Sequence, residues 1–467
     1  MIHYDVIVIG GGMAGYCSAI RALQAGLNTA LISRGQSALH FASGSIDVLS
    51  HSPISGDIVT NPLKAIEHLE VSLTSHPYSK VGVSGVKHAL DWFINTIVLD
   101  NNVLTSRDRD NHFRLTPIGT LKATWSSQQL VKKFAIDLTN LNQNSRVQVF
   151  SFQKFHDFQP SLFCHNLALL FEDEAVDIQS QMISLANALN DETARPLRST
   201  DLQGRLNEPH YFDKFKQQLL DKVSQNDLII LPAVFGDGDA MRRLNHLQQE
   251  HNLDICLVPT LAPSLLGINI ESQLSKVFIQ LGGTHLKGDS VINAHRSHDN
   301  NGIHISSIQT HNLGNFELKA ENYILATGSF FSNGLTSDHQ QIIEPIFNLD
   351  VHQDYPRSQW HHSILFSNQS QPYLSYGVKT NPRFQPFISE KVVNNLFCCG
   401  SILADYDPIA QGCGGGVAIS TAVKVAEQII ANTQIKTTSN VAVAAKPHSS
   451  CGVGNKSNHS PNKELSL

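Results

Sequence analysis

Apolar positions come in short runs whose period changes along the chain. Tyr4-Asp5-Val6-Ile7-Val8-Ile9 is a strand-length run that stops at glycines, Ala19, Ile20 and Leu23 recur at helical spacing as far as Gly26, and Thr29-Ala30-Leu31-Ile32 is apolar again. Residues 3–33 therefore predict a strand, a helix and a strand. Helical patterns follow near 62–75 and 84–98, a strand near 146–152, a polar helical stretch near 208–224, and a strand at Leu228-Ile229-Ile230-Leu231. A helix is expected over 270–281, then short alternating segments at 291–294, 303–305 and 323–326 that read as a small β-meander. Residues 331–393 look loop-rich. A strand is expected at Leu396-Phe397-Cys398-Cys399 and a long helix over 414–430.

A strand–helix–strand opening with later strands returning after long interruptions predicts an α/β protein: a Rossmann-like, three-layer domain of the FAD/NAD(P)-binding kind, with an inserted mixed α/β second domain. With 467 residues, 41% of them hydrophobic, the chain can bury more than one core. The expected division is 1–50, 265–330 and 394–432 for the Rossmann-like domain, and 51–264 with 331–393 for the inserted, substrate-side region. Residues 433–467, rich in Ser, Thr, Asn and Lys, are expected to be a disordered tail.

Composition narrows the function. A formal net charge of −6, with Lys and Arg scattered, builds no field for nucleic acid. No run reaches the roughly 18 apolar residues of a membrane span, so direct membrane insertion is not expected. The chain enters its first strand where a signal peptide would carry its apolar stretch, which predicts a cytoplasmic protein. Seven cysteines, at 17, 164, 256, 398, 399, 413 and 451, form no CxxC pair and no metal-ligand spacing, so they read as reduced structural thiols, and no metal is expected.

The chemistry sits in glycine turns. Gly10-Gly11-Gly12-Met13-Ala14-Gly15 follows a buried strand and opens a helix. In that setting the first glycine allows the tight turn, the second lets backbone approach a phosphate, the third packs helix on strand, and the helix N-terminus supplies free N–H groups. Ala326-Thr327-Gly328 ends a later apolar strand. Cys399-Gly400-Ser401, Asp405 and Gly412-Cys413-Gly414-Gly415-Gly416 open a second helix, whose positive end would stabilise charge on a reduced flavin. One expected feature is missing: an acidic residue should end the second strand to hold an adenosine ribose, and Ser33 and Arg34 stand there instead.

Together these motifs resemble the two-dinucleotide-binding-domain flavoproteins, and longer strings resemble the B-subunit family of bacterial anaerobic glycerol-3-phosphate dehydrogenase. They are residues 34–47 (Arg34 to Asp47), 116–125 (Thr116 to Trp125), 231–236, 259–264 and 407–416, and the likeness covers roughly residues 3 to 430. It implies a cytoplasmic protein, peripheral on the inner face of the bacterial inner membrane. Its partners would be a larger flavoprotein subunit and a membrane-bound iron–sulfur subunit. The complex would oxidise sn-glycerol 3-phosphate to glycerone phosphate and pass electrons to the quinone pool in fumarate or nitrate respiration. FMN is the cofactor implied; the missing carboxylate suits FMN, while the complete glycine turn suits the alternative, FAD. Cofactor contacts are expected from Gly10, Gly11, Gly12, Gly15, Ser33, Arg34, Ser43, Gly44, Gly328, Gly400, Asp405, Gly414 and Gly415. His40 is the candidate base and Arg383 the candidate phosphate or flavin contact; Ser45 and Lys122 are further substrate-side candidates. Two rival readings stay open at this point: an FAD oxidoreductase of another small-acid substrate class, and a non-catalytic electron-relay or assembly protein.

Overall fold

A computed structural model describes residues 2–97, 104–106, 109–136, 146–171, 176–185, 195–299, 302–364 and 370–444. The chain begins with β1 (Ile2–Ile9), α1 (Met13–Gln24) and β2 (Thr29–Ser33), followed by α2 (Pro62–Ser72), α3 (Pro77–Val81) and α4 (Val83–Thr96). A hairpin, β3 (His112–Leu115) and β4 (Leu121–Thr124), leads to β5 (Arg146–Phe152), β6 (Asp177–Ile183), β7 (Leu228–Pro232) and β8 (Asp254–Val258). After α5 (Leu265–Gln280) come β9 (Thr284–Lys287), β10 (Val291–Asp299), β11 (Gly302–Thr310), β12 (Glu317–Leu325), β13 (Leu396–Cys398) and α6 (Gly414–Ala444).

Among the described residues the larger sheet has seven strands in the order β9-β2-β1-β12-β11-β10, with β13 beside β12. β9, β2, β1, β12 and β13 run parallel; β10 and β11 are the antiparallel meander. The register places Ile9 opposite both Ile32 and Leu325, and Leu325 opposite Cys398. The carboxyl ends of four parallel strands are thus level, and the chain segments after Ile9, Ser33, Leu325 and Cys398 all emerge at one edge, where open α/β sheets bind ligands. Val6–Ile9 of β1 and Ala30–Ile32 of β2 are uninterrupted apolar runs because both strands lie inside the sheet with their faces covered.

A second sheet, ordered β8-β7-β5-β6, is parallel throughout. Helices between its strands, such as Ser199–Asn207, Pro209–Leu220 and Asp239–His251, make the crossovers that parallel pairing requires. Its core draws on residues from Phe113 to Leu266. α2 and α4 pack elsewhere: Ile66, Leu69, Val86, Leu90 and Phe93 form apolar stripes that bury in the first core. Leu335, Phe347, Trp360, Val378 and Phe384, from the loop-rich stretch, join the same core.

The last helix differs from expectation. α6 continues through 433–444, because no Gly or Pro interrupts the chain before Pro447 and nothing ends the helix at 430. Residues 445–467, the rest of the expected disordered tail, lie outside the described residues. No helix among the described residues is long and apolar enough to cross a membrane, and none of their His, Cys, Asp and Glu side chains cluster as a metal site. The six described cysteines are unpaired; Cys398 and Cys399 are buried, and burial pushes both thiols up, Cys399 to about 12. They are inert core residues at neutral pH.

Candidate flavin site

Gly10 leaves β1 at φ +121°, and a Cβ there would lie 2.2 Å from the Ala326 carbonyl, so only glycine lets β1 and β12 stay paired through the turn. A Cβ on Gly15 would lie 1.8 Å from the Gly10 carbonyl, so the third glycine seats α1 directly on the strand end. Gly12 is different. A Cβ there meets no protein atom within 4 Å, and no side chain caps the first turn of α1. The first-turn N–H groups therefore face an open cradle, the geometry that accepts a phosphate. Beside it Thr327 Oγ1 is buried without a hydrogen-bond partner among the described residues, and Thr327 N would lie 2.9 Å from a Gly10 Cβ. An open turn with an unanswered hydroxyl fits the phosphate end of a flavin. Thr327 belongs to a motif whose sequence signal is its glycine, so reasoning from sequence passes over it.

Ser33, at the end of β2, is buried against Gly11 and hydrogen-bonded to His285 Nε2 at 2.8 Å. Burial, with Lys287 nearby, pushes the His285 pKa down, so the ring is neutral at neutral pH. Arg34 is exposed. Gly328 has φ +82° and caps the turn toward Ser332. Gly400 touches both helices: its Cβ would lie 2.7 Å from the Ala14 side chain and 4.0 Å from Ala418 Cα, so it joins the first turn of α1 to the second turn of α6.

The start of α6 sits on the chain after β2. Gly416 N–H donates to the Asp47 carbonyl at 2.8 Å, and a Gly415 Cβ would approach Asp47 N and O at 3.3 Å. Gly414 lies just before, near Pro408. Residues 43–47 are pinned from the other side too. Gly44 packs on Leu266 and Gln128, Ser43 Oγ accepts from Ser45 N–H at 3.4 Å, and Ile46 pairs with Ser126 across a β-bridge. Asp47 Oδ2 accepts from Lys122 Nζ at 2.7 Å. Arg114, opposite Lys122 in the hairpin, is buried in the same place; burial pushes its guanidinium pKa down and Asp47 pushes it back up. His112 Nε2 lies 2.8 Å from Ser127 Oγ. Asp47, Arg114 and His112 are not anticipated from sequence, since their proximity depends on a hairpin some seventy residues after Asp47.

Three candidates are engaged elsewhere. His40 Nε2 lies 3.3 Å from Glu271 Oε2 on α5, and Glu271 also accepts from Ser37 Oγ, so His40 is tied into the strap that holds 37–42 on α5. Asp405, in left-handed backbone at φ +72°, gives its carboxylate to His352 Nδ1 at 2.5 Å. Arg383 is exposed, and its Nη2 lies 3.4 Å from Asn432 Oδ1. Asn432 is eighteen residues along α6 from Gly414, roughly 27 Å at 1.5 Å per residue, so Arg383 sits far along the helix from its glycine start.

Known proteins resemble this chain over nearly its whole length. The sequence model of a family described as FAD binding domain matches residues 5–417. The B subunit of anaerobic glycerol-3-phosphate dehydrogenase from Aliivibrio fischeri is 42% identical over 442 residues, covering 93% of this chain and 96% of that one. The protein of the same name from Vibrio cholerae is 42% identical over 433 residues, covering 92% and 97%. Among solved structures, 3-ketosteroid Δ1-dehydrogenase from Sterolibacterium denitrificans aligns with a TM-score of 0.45 at 10% identity, over 92% of this chain and 100% of that one. Taken with the open cradle at Gly12 and the two helix ends joined through Gly400, the family match and the relatives place the chain among the B subunits of anaerobic glycerol-3-phosphate dehydrogenases, flavoproteins built on an FAD-binding domain.

Proposed function

We propose that this chain is the flavin-bearing B subunit of an anaerobic glycerol-3-phosphate dehydrogenase complex. The complex oxidises sn-glycerol 3-phosphate to glycerone phosphate and sends the electrons to the quinone pool in fumarate or nitrate respiration. Its partners are a larger flavoprotein subunit and a membrane-bound iron–sulfur subunit, and through the latter the chain is held on the inner face of the membrane. The observation that carries the reading is the meeting of two helix N-termini, at Gly12 and Gly414, around Gly400, in a chain of this family.

A flavin bound there supplies an acceptor for the hydride of a secondary alcohol and passes electrons onward singly. The residues do the rest. Gly12 and the first turn of α1 would hold the phosphate, Thr327 Oγ1 would donate to it, and the positive end of α6 would favour negative charge on the cofactor. The flavin we favour is FMN. Ser33 Oγ is already engaged by His285, and the carboxylate that would bind an adenosine ribose at the end of β2 is absent from the sequence there.

Heat release and chromatography of the cofactor test this reading, together with titration of the protein by sn-glycerol 3-phosphate while the flavin absorbance is followed. FMN that bleaches on titration, alone or once the larger flavoprotein partner is added, is the expected result. FAD would remove the cofactor assignment. A flavin that neither condition bleaches would overturn the dehydrogenase reading.

A further inference from the structure

The hairpin β3–β4 places Arg114 directly opposite Lys122, and His112 two residues before Arg114, so three basic side chains leave the ribbon on one face. Like charges directly opposed across a sheet destabilise it. Asp47 bonds directly to Lys122 Nζ at 2.7 Å and lies close enough to Arg114 to favour its charged form. Arg114 is 3% exposed; among the described residues its one hydrogen bond is Nη1 to the Leu115 carbonyl at 3.2 Å, and its Nε is buried with no partner. A guanidinium has five N–H donors, and a buried cation with most of them unanswered is strongly disfavoured unless an anion arrives. The start of α6, bonded to the Asp47 carbonyl, adds further positive potential.

One acceptor is open as well. Asp47 Oδ1 is buried with no partner among the described residues. The cluster therefore presents unanswered cationic donors beside an unanswered carboxylate oxygen. Arg114 and His112 form its closed back, and the Lys122 side chain, 41% exposed, stands at its opening.

We propose that this cluster is a substrate site for a hydroxylated phosphate monoester: the Arg114 fork and Lys122 bind the phosphate, and Asp47 Oδ1 accepts a hydrogen bond from a hydroxyl on the same molecule. The ligand class stands on the charges alone; naming it sn-glycerol 3-phosphate rests on the function proposed above. A flavin phosphate has the same anionic chemistry, and the experiment separates the two sources.

Calorimetric titration of the purified protein with inorganic phosphate, sn-glycerol 3-phosphate and glycerol tests it, with flavin absorbance per chain measured on each sample. Saturable binding of both phosphates and none of glycerol is expected. Lys122→Met and Arg114→Lys should each weaken both phosphates at least tenfold, with flavin content unchanged. Asp47→Asn should tighten inorganic phosphate, because a nearby negative charge is gone, and weaken glycerol 3-phosphate relative to it, because the hydroxyl acceptor is weaker. Lys122 is half exposed, so its variant remains informative should a change at buried Arg114 prevent folding. Phosphate affinity unchanged in Lys122→Met, or no phosphate binding by the wild type, overturns the proposal. Flavin lost in step with phosphate affinity also overturns it, by assigning the cluster to the cofactor. Phosphate binding with these sensitivities in a flavin-free protein would uphold the site and sink the flavin reading instead.

Discussion

The turn at Gly10–Gly15 and the cluster around Asp47 both leave polar groups open inside the protein, and they do so by opposite means. The turn works by omission: six consecutive residues without large side chains at the key positions expose backbone N–H groups at the end of a strand. The cluster works by accumulation, gathering the Asp47 carboxylate and the basic side chains of a hairpin near 112–124 beside the backbone at the start of α6. What one region achieves with contiguous sequence the other achieves only after folding. The difference has an energetic side too. Omitted side chains cost little when the ligand is absent, whereas collected charges oppose one another until it binds.

The largest expected effect separates two glycines within the turn. Gly15→Val must displace the Gly10 carbonyl, a backbone atom that holds β1 in register, and should destabilise the protein by about 4 kcal/mol or more. At Gly12 an added Cβ meets no protein atom within 4 Å, so Gly12→Val starts from open space. It should leave the thermal midpoint within a few degrees of wild type and abolish flavin retention, since the new side chain fills only the cradle. Melting curves beside flavin absorbance check the pair. A Gly12→Val protein that keeps its full yellow spectrum would break the assignment of the cradle to the cofactor.

Acid should distinguish the two regions next. His76 lies behind the cluster: its Nδ1 accepts from Tyr78 N–H at 3.1 Å, its Nε2 lies 3.1 Å from Gln411 Oε1, and Tyr78 Oη donates to the Val48 carbonyl one residue past Asp47. Burial pushes its pKa down to about 4 from 6.5, against smaller upward pulls from Gln411 and Asp405. The unfolded chain therefore binds a proton below pH 6.5 that the folded chain refuses. This stability is complete above pH 6.5 and is lost as the pH falls toward 4, roughly 3 kcal/mol over the interval. His76→Gln, which keeps the size and a hydrogen bond, should flatten that part of the pH–stability curve in urea titrations. An unchanged slope would mean that another group carries the acid sensitivity.

The same contrast explains how much of the molecule is legible in its sequence. The β–α–β opening, the meander and the glycine turns can be read because their periods and spacings are local and follow from strand and helix geometry. The core that α2 and α4 join cannot, because their apolar stripes suit either core and only tertiary packing decides between them. Asp47, Arg114 and His112 escape for a related reason: none belongs to a motif, and their meaning lies in a cross-strand register. Asp405 and His40 are plausible by position near the right turns, yet His352 and Glu271, distant in sequence, take their polar atoms.

Arg383 provides the smallest expected effect and the cleanest control on that lesson. It follows Tyr376-Gly377-Val378 in a polar segment, which makes it a reasonable phosphate contact by sequence, but tertiary structure brings it to Asn432, about 27 Å along α6 from Gly414. An exposed side chain with a single 3.4 Å hydrogen bond contributes little. Arg383→Ala should change stability by no more than about 0.5 kcal/mol and leave the flavin content and phosphate affinity at wild-type values. The Lys122→Met variant, one charge removed from the opening of the Asp47 cluster, is its counterpart: the same loss of a single positive charge should be silent at one end of α6 and weaken phosphate at least tenfold at the other. If both substitutions shifted phosphate affinity alike, the protein would be responding to its net charge, and the local geometry of the cluster would have no special part in binding.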